Sequence, residues 1–142
     1  MPLTNFPDGI AADLTGDVTG NVTGNVTGDV TGDVTGAVIA TTEAAAGDGA
    51  ISLASKTVMI TKGTAAALTV AAPTATTDDG ITIVFVSTTA AAHTITATTV
   101  GWNAGDAASD VATLGGAIGD GFTCIAYQGE WYITGNINAT LA

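Results

Sequence analysis

A tetrapeptide, Val-Thr-Gly-Asp/Asn, runs almost without error from Leu14 to Val38. No other feature of the chain so limits what it can fold into. Leu14, Val18, Val22, Val26, Val30, Val34 and Val38 recur every fourth residue, as do Gly16 to Gly36 and Thr15 to Thr35. The fourth slot holds Asp17, Asn21, Asn25, Asp29 and Asp33. On an α-helix a period of four drifts about 40° per repeat, so the valines make no steady stripe. Each interior glycine also costs a helix about 1 kcal/mol relative to alanine. In an extended chain, side chains alternate between two faces. Every even position from 14 to 38 is then Leu, Val or Gly. The odd positions up to 35 are Thr, Asp or Asn.

One face of such a strand is apolar and can approach another backbone closely at each glycine. The stretch spans roughly 80 Å at about 3.3 Å per residue. A lone ribbon of this kind buries too little to stand by itself. An ordered stem shared by identical chains, most simply three, or an arm docked along a partner supplies the missing surface. A flexible linker is the competing reading of a Gly/Thr/Asn/Asp-rich segment. The regular valines argue against it, since a linker needs none. A regular axial repeat is also a poor basis for an active site, which needs different residues at converging positions.

Composition narrows the partners. Thirteen acids stand against Lys56 and Lys62, the net charge is −11, and the chain has no arginine. Phosphate recognition leans on Arg and Lys, so nucleic acid and anionic membrane surfaces are disfavoured as partners. No apolar stretch approaches the roughly 20 residues of a membrane-spanning helix. The first five residues, Met1-Pro2-Leu3-Thr4-Asn5, have neither the basic start nor the apolar run of a secretory signal. The sequence is 46% apolar but only 5% aromatic. That makes a thin core, of the kind that short chains often complete by oligomerising. Cys124 is the single cysteine, so no intrachain disulfide forms.

Four segments follow. Residues 1–13 form an N-terminal anchoring arm, in which Phe6-Pro7-Asp8-Gly9-Ile10 is a stiff turn between two apolar anchors, Phe6 and Ile10. Residues 14–38 are the extended stem, and 39–49 a connector. Residues 50–142 carry period-two patterns rich in Val, Ile and Thr. Strands are expected at 51–54, 57–61, 66–71, 81–87, 93–98, 122–127 and 131–135. Asp78-Asp79-Gly80 reads as a turn and Gln128-Gly129 as a tight hairpin loop. A short helical turn is expected within 104–111. The expected fold class is all-β: an extended arm or stem, then a small antiparallel sandwich or jelly-roll-like domain, trimeric as a whole.

Thr4-Asn5-Phe6-Pro7-Asp8-Gly9-Ile10, followed by Thr-Gly-Asp/Asn-Val repeats, resembles virion structural proteins of tailed bacteriophages, cyanophages among them. The stretch from Ile51-Ser52-Leu53 to Gly129-Glu130-Trp131-Tyr132-Ile133-Thr134-Gly135-Asn136 is similar to small β-domains of such proteins. Taken loosely, the resemblance covers most of the chain. Such repeats occur in capsid decoration proteins, head fibres and tail fibres alike. The resemblance implies a trimer in a virus particle, with the major capsid protein as partner and the capsid surface as location.

Two functional expectations come from this. The first is a non-enzymatic decoration or cement protein. Its interface residues are Phe6, Ile10, Leu14, Val18, Val22, Val26, Val30, Val34 and Val38. The second is a short fibre or spike binding a host-surface glycan, with Trp102, Asn103 and Asp106 as the contact. An aromatic face beside Asn and Asp can stack on a sugar and hydrogen-bond to it. Packing of Trp102 over an open end of the sandwich is the plainer reading. No catalytic constellation, cofactor or metal site is expected. His93 alternates with Ile95 and Ala97 as a half-buried strand residue. Cys124, between Phe122 and Ala126, sits where a small core residue would. The glycines from Gly115 to Gly121 lack the Lys-Ser/Thr of a phosphate loop. Asp17, Asp29 and Asp33 share the polar face of the stem and read as solvated carboxylates rather than calcium ligands.

Overall fold

The computed structural model describes residues 41–105 and 110–142. The anchoring arm, the stem and their nine expected interface residues lie outside this range, and so does Asp106. The described residues form ten strands. These are β1 (Thr42–Ala45), β2 (Gly49–Ile51), β3 (Thr57–Ile60), β4 (Ala67–Val70), β5 (Thr82–Ser87), β6 (Thr94–Ala97), β7 (Val111–Leu114), β8 (Gly121–Tyr127), β9 (Glu130–Ile137) and β10 (Ala139–Leu141). They make two five-stranded sheets. Sheet A has the order β1-β3-β5-β8-β9, and sheet B the order β10-β7-β6-β4-β2.

The all-β expectation holds, and the antiparallel one does not. From β1 to β6 the chain alternates between the sheets, so consecutive strands do not pair. β3 lies parallel to β1 and β5 parallel to β3; β4 lies parallel to β2 and β6 parallel to β4. The chain thus winds as a flattened coil of three turns. Threonines tie the third turn to the second. Thr88 donates its hydroxyl to the Ile60 carbonyl at 2.9 Å, and Thr98 does the same to Val70 at 3.0 Å, each reaching 28 residues back. After β6 the winding reverses. β7 runs antiparallel to β6, β8 to β5, β9 to β8 and β10 to β7.

Alternation places the core. In β5 Ile83, Phe85 and Ser87 are buried while Thr82, Val84 and Val86 are half-buried on the other face. β3, β4, β6 and β7 repeat the pattern. The buried set from both sheets forms one cluster around Val58, Ile60, Leu68, Val70, Ile95, Leu114 and an aromatic group. Phe85 and Phe122 pack tilted at 4.9 Å between ring centroids, and Trp102 meets Phe122 edge-on at 5.1 Å. The Trp131 indole N–H donates to the Ala71 carbonyl at 2.9 Å, which satisfies the polar tip of a buried ring.

Four strands differ from expectation. β2 meets the strand expected at 51–54 only at Ile51, and residues 52–54 make a turn instead. β1 lies in the stretch expected as a connector, where Glu43 fixes it to the following turn. Its carboxylate accepts from the Ser55 hydroxyl at 2.6 Å and the Ser52 N–H at 3.2 Å. β7 begins at Val111, the end of the stretch expected to hold a helical turn. β10 was not expected; it follows a reversal at Asn138, whose φ is 57°. The hairpin at Gln128-Gly129 is as read, with positive φ at both residues, the geometry of a two-residue turn that suits twisted strands.

Candidate interaction surface

The residues singled out for chemistry are taken up in packing. His93 is fully buried, beyond the half-burial expected. Its Nδ1 accepts from the Ala66 N–H at 3.0 Å, so the ring proton sits on Nε2. Nε2 lies 3.0 Å from the Thr89 hydroxyl, which itself donates to the Lys62 carbonyl at 2.7 Å. This chain of bonds ties the β5–β6 connection to the β3–β4 connection. Burial, helped by the charge of Lys62, holds the imidazole pKa below its ordinary value. Cys124 is buried and its thiol is pushed up to about 12 by desolvation, so it is inert as a nucleophile at neutral pH. Among the described residues no group of three His, Cys, Asp or Glu is placed to hold a metal ion.

Trp102 is 1% exposed and belongs to the core, which corrects its place as the sugar contact of the fibre reading and agrees with the plainer expectation that it packs. Its backbone bridges to Trp131, and the Asn103 N–H donates to the Trp131 carbonyl at 2.7 Å. The Asn103 side-chain oxygen accepts from the Ile133 N–H at 2.8 Å. The pair therefore covers part of the outer edge of β9, an edge that otherwise invites pairing with another chain. Asn103 takes a positive φ of 59°, a conformation asparagine tolerates better than most residues. Asp78 and Asp79 are turn residues, as read: Asp78 accepts from the Thr74 N–H at 2.6 Å, and Asp79 from the backbone and side chain of Gln128 at 2.6 and 2.7 Å.

What the described body presents outward is two unlike sheet faces. On sheet A the register aligns Ala44, Met59, Val86, Gly121 and Ile137 in one rung. Thr42, Thr57, Val84, Thr123 and Gly135 form the next, and Thr82, Ile125 and Tyr132 a third. No charged side chain falls in these rungs. On that side Glu130 stands in the terminal pair with Tyr127. On sheet B the outward rungs are Ala67-Thr94-Thr113-Thr140 and Ala50-Thr69-Thr96-Val111. The sheet A rungs mix aliphatic residues and glycine with four threonines and Tyr132, while the sheet B rungs are chiefly hydroxyl.

Sheet A's face is also the uneven one. At Gly121 and Gly135 no side chain stands up, and a trough of about 320 Å³ opens there between Val84 and Val86 on one side and Ile137 on the other. Ile137 is 66% exposed, a large apolar side chain standing beside an apolar hollow. Sequence reasoning missed this face. The alternation of β5 and β8 shows which residues point outward, but the rungs exist only through the parallel register of β1, β3 and β5. Comparison of the chain with family models, curated proteins and solved structures finds no match.

Proposed function

We propose that the chain is a non-enzymatic structural protein of a phage particle, a trimeric cement protein that decorates and stabilises the capsid. The observation that carries this reading is the unbroken fourfold register of Leu14 to Val38, which supplies a long, regular contact and no converging chemistry. The phage assignment rests on the resemblance of that repeat, with its Asn-Phe-Pro-Asp-Gly lead, to virion structural proteins. The β-body adds support of a general kind: its histidine and cysteine serve packing, and the outward rungs of sheet A carry no charged side chain. Backbone hydrogen bonds and valine contacts spread along the stem bind the major capsid protein, and the body sits outside.

The test is a particle made without the protein. Such particles are expected to assemble and adsorb to cells, yet release DNA at a lower temperature or under milder osmotic shock. Particles that hold DNA as well as the wild type but fail to adsorb would overturn this reading in favour of a host-binding fibre.

A further inference from the structure

We infer that the outward face of sheet A is where copies of this chain meet, with Ile137 of one copy seated in the glycine trough of the next. The inference deepens the trimeric reading and rests on it. Three observations lead here. The first is charge. Each copy carries −11, so copies repel unless they meet where acids are absent. The three rungs of sheet A are such a place, and interface centres are in general depleted of charge. A basic partner would be drawn to the acids elsewhere and gains nothing from this face.

The second is shape. Knob and hollow lie on one face of one chain: Ile137 is 66% exposed beside the trough floored by Gly121 and Gly135. Each copy can therefore give one half of the contact to one neighbour and receive the other half from a second, the head-to-tail arrangement that closes into a ring when the rotation fits. When Ile137 of each copy enters the trough of its neighbour, three copies close a ring around a shared axis. Gly121 cannot carry even a methyl group, which would overlap the Phe85 carbonyl oxygen, so the fold itself fixes that part of the floor. Gly135 is different. A Cβ there meets nothing nearer than Thr123 at 4.0 Å, so the fold does not require glycine, while an open trough does.

The third is area. Five strands about 4.8 Å apart and up to roughly 20 Å long present about 500 Å². In a ring of three each face is divided between two neighbours, and the three faces together withdraw about 1,500 Å² from water, the total of a standard-size interface. The threonine face of sheet B is of similar extent, but its hydroxyls are well served by water and give little reason to leave it.

The experiment uses the full chain in sedimentation velocity, with far-UV circular dichroism confirming the β-fold of each variant. Wild type is expected to run as a trimer at micromolar concentration. Ile137→Asp and Gly135→Leu are expected to raise the concentration needed for assembly at least tenfold, while Thr96→Asp on sheet B does not. A second measurement guards against assembly held elsewhere in the chain. Val84 and Ile137 lie on strands separated by β8, about 10 Å apart and beyond the reach of an intrachain disulfide. The double variant Val84→Cys/Ile137→Cys is therefore expected to cross-link between chains on oxidation, and Ala50→Cys/Thr96→Cys on sheet B, likewise on strands separated by one other, is not. A wild-type trimer whose sheet A variants assemble normally and do not cross-link overturns the inference and leaves the trimer standing. A wild-type monomer overturns both.

Discussion

At the residue scale, His93 shows how a lone titratable group becomes structural. Its Nδ1 is committed as an acceptor to Ala66 N–H, so protonating it means breaking that bond inside the core. The folded-state pKa lies below the ordinary 6.5 because burial, and secondarily Lys62, disfavours the cation. The unfolded chain then binds the proton more readily, so His93's share of stability is whole above pH 6.5 and declines as the pH falls below it, until the folded pKa is reached. Asp48, whose pKa is lowered by its bond to Lys62 and the Ala67 N–H, acts in the same direction, but only below its ordinary 3.8. The two windows are separate. Thermal melts from pH 8 to pH 4.5 are expected to show a falling midpoint in wild type and a flatter profile in His93→Gln. His93→Phe is expected to lose about 1–3 kcal/mol at pH 8 by orphaning the Ala66 N–H. Equal slopes for wild type and His93→Gln would show that another group titrates. The alternation with Ile95 and Ala97 made the inward side legible, although His93 lies in the connection just before β6 and not in the strand expected there; the acceptor role did not show, since Ala66 lies 27 residues away.

At the element scale, strands read well where both ends carried a turn signal. β3, β4, β5, β6, β8 and β9 all fall within or across expected stretches, and Gln128-Gly129 is the hairpin it was read to be. β1 was hidden because Thr42-Glu43-Ala44-Ala45 has little β-character of its own and depends on Glu43 bonding to Ser52 and Ser55. The direction of pairing was not legible at all. Alternation reveals which side of a strand is buried, and one-sided burial is usually an antiparallel trait. Here the same one-sidedness arises because successive strands face each other across the core. The β8–β9 hairpin is held from outside by Asp79, which accepts from Thr76 N–H as well as from Gln128. Asp79→Ala is therefore expected to cost about 1–2 kcal/mol by denaturant melt, as charge-assisted bonds of this kind do. Gln128→Ala removes only the side-chain bond and is expected to cost less. The reverse order would mean the backbone bond from Gln128 contributes little.

At the scale of the whole molecule, the described core runs from Ala45 to Trp131 and draws on both sheets. We expect body and stem to be separable in energy, since the two are patterned differently in sequence. The sequence made their separate characters plain, because a fourfold glycine register and a Val/Ile/Thr alternation cannot serve the same packing. It left the boundary less plain, since β1 starts at Thr42, inside the expected connector. Removing residues 1–38 is accordingly expected to leave a body with an intact β-type far-UV spectrum and a cooperative melt within a few degrees of the full chain. On the cement reading, that body no longer binds particles. Two substitutions in the full chain sharpen the point. Val26→Asp places a carboxylate on the apolar face of the repeat, where burial of an unpaired charge is costly, and is expected to abolish particle binding while the body still melts normally. Asn25→Asp adds the same charge to the polar face, at a position where the repeat already uses both residues, and is expected to bind as wild type does. Equal loss from the two, measured by co-sedimentation with particles, would mean that the repeat does not present an apolar face of even-numbered residues to its partner.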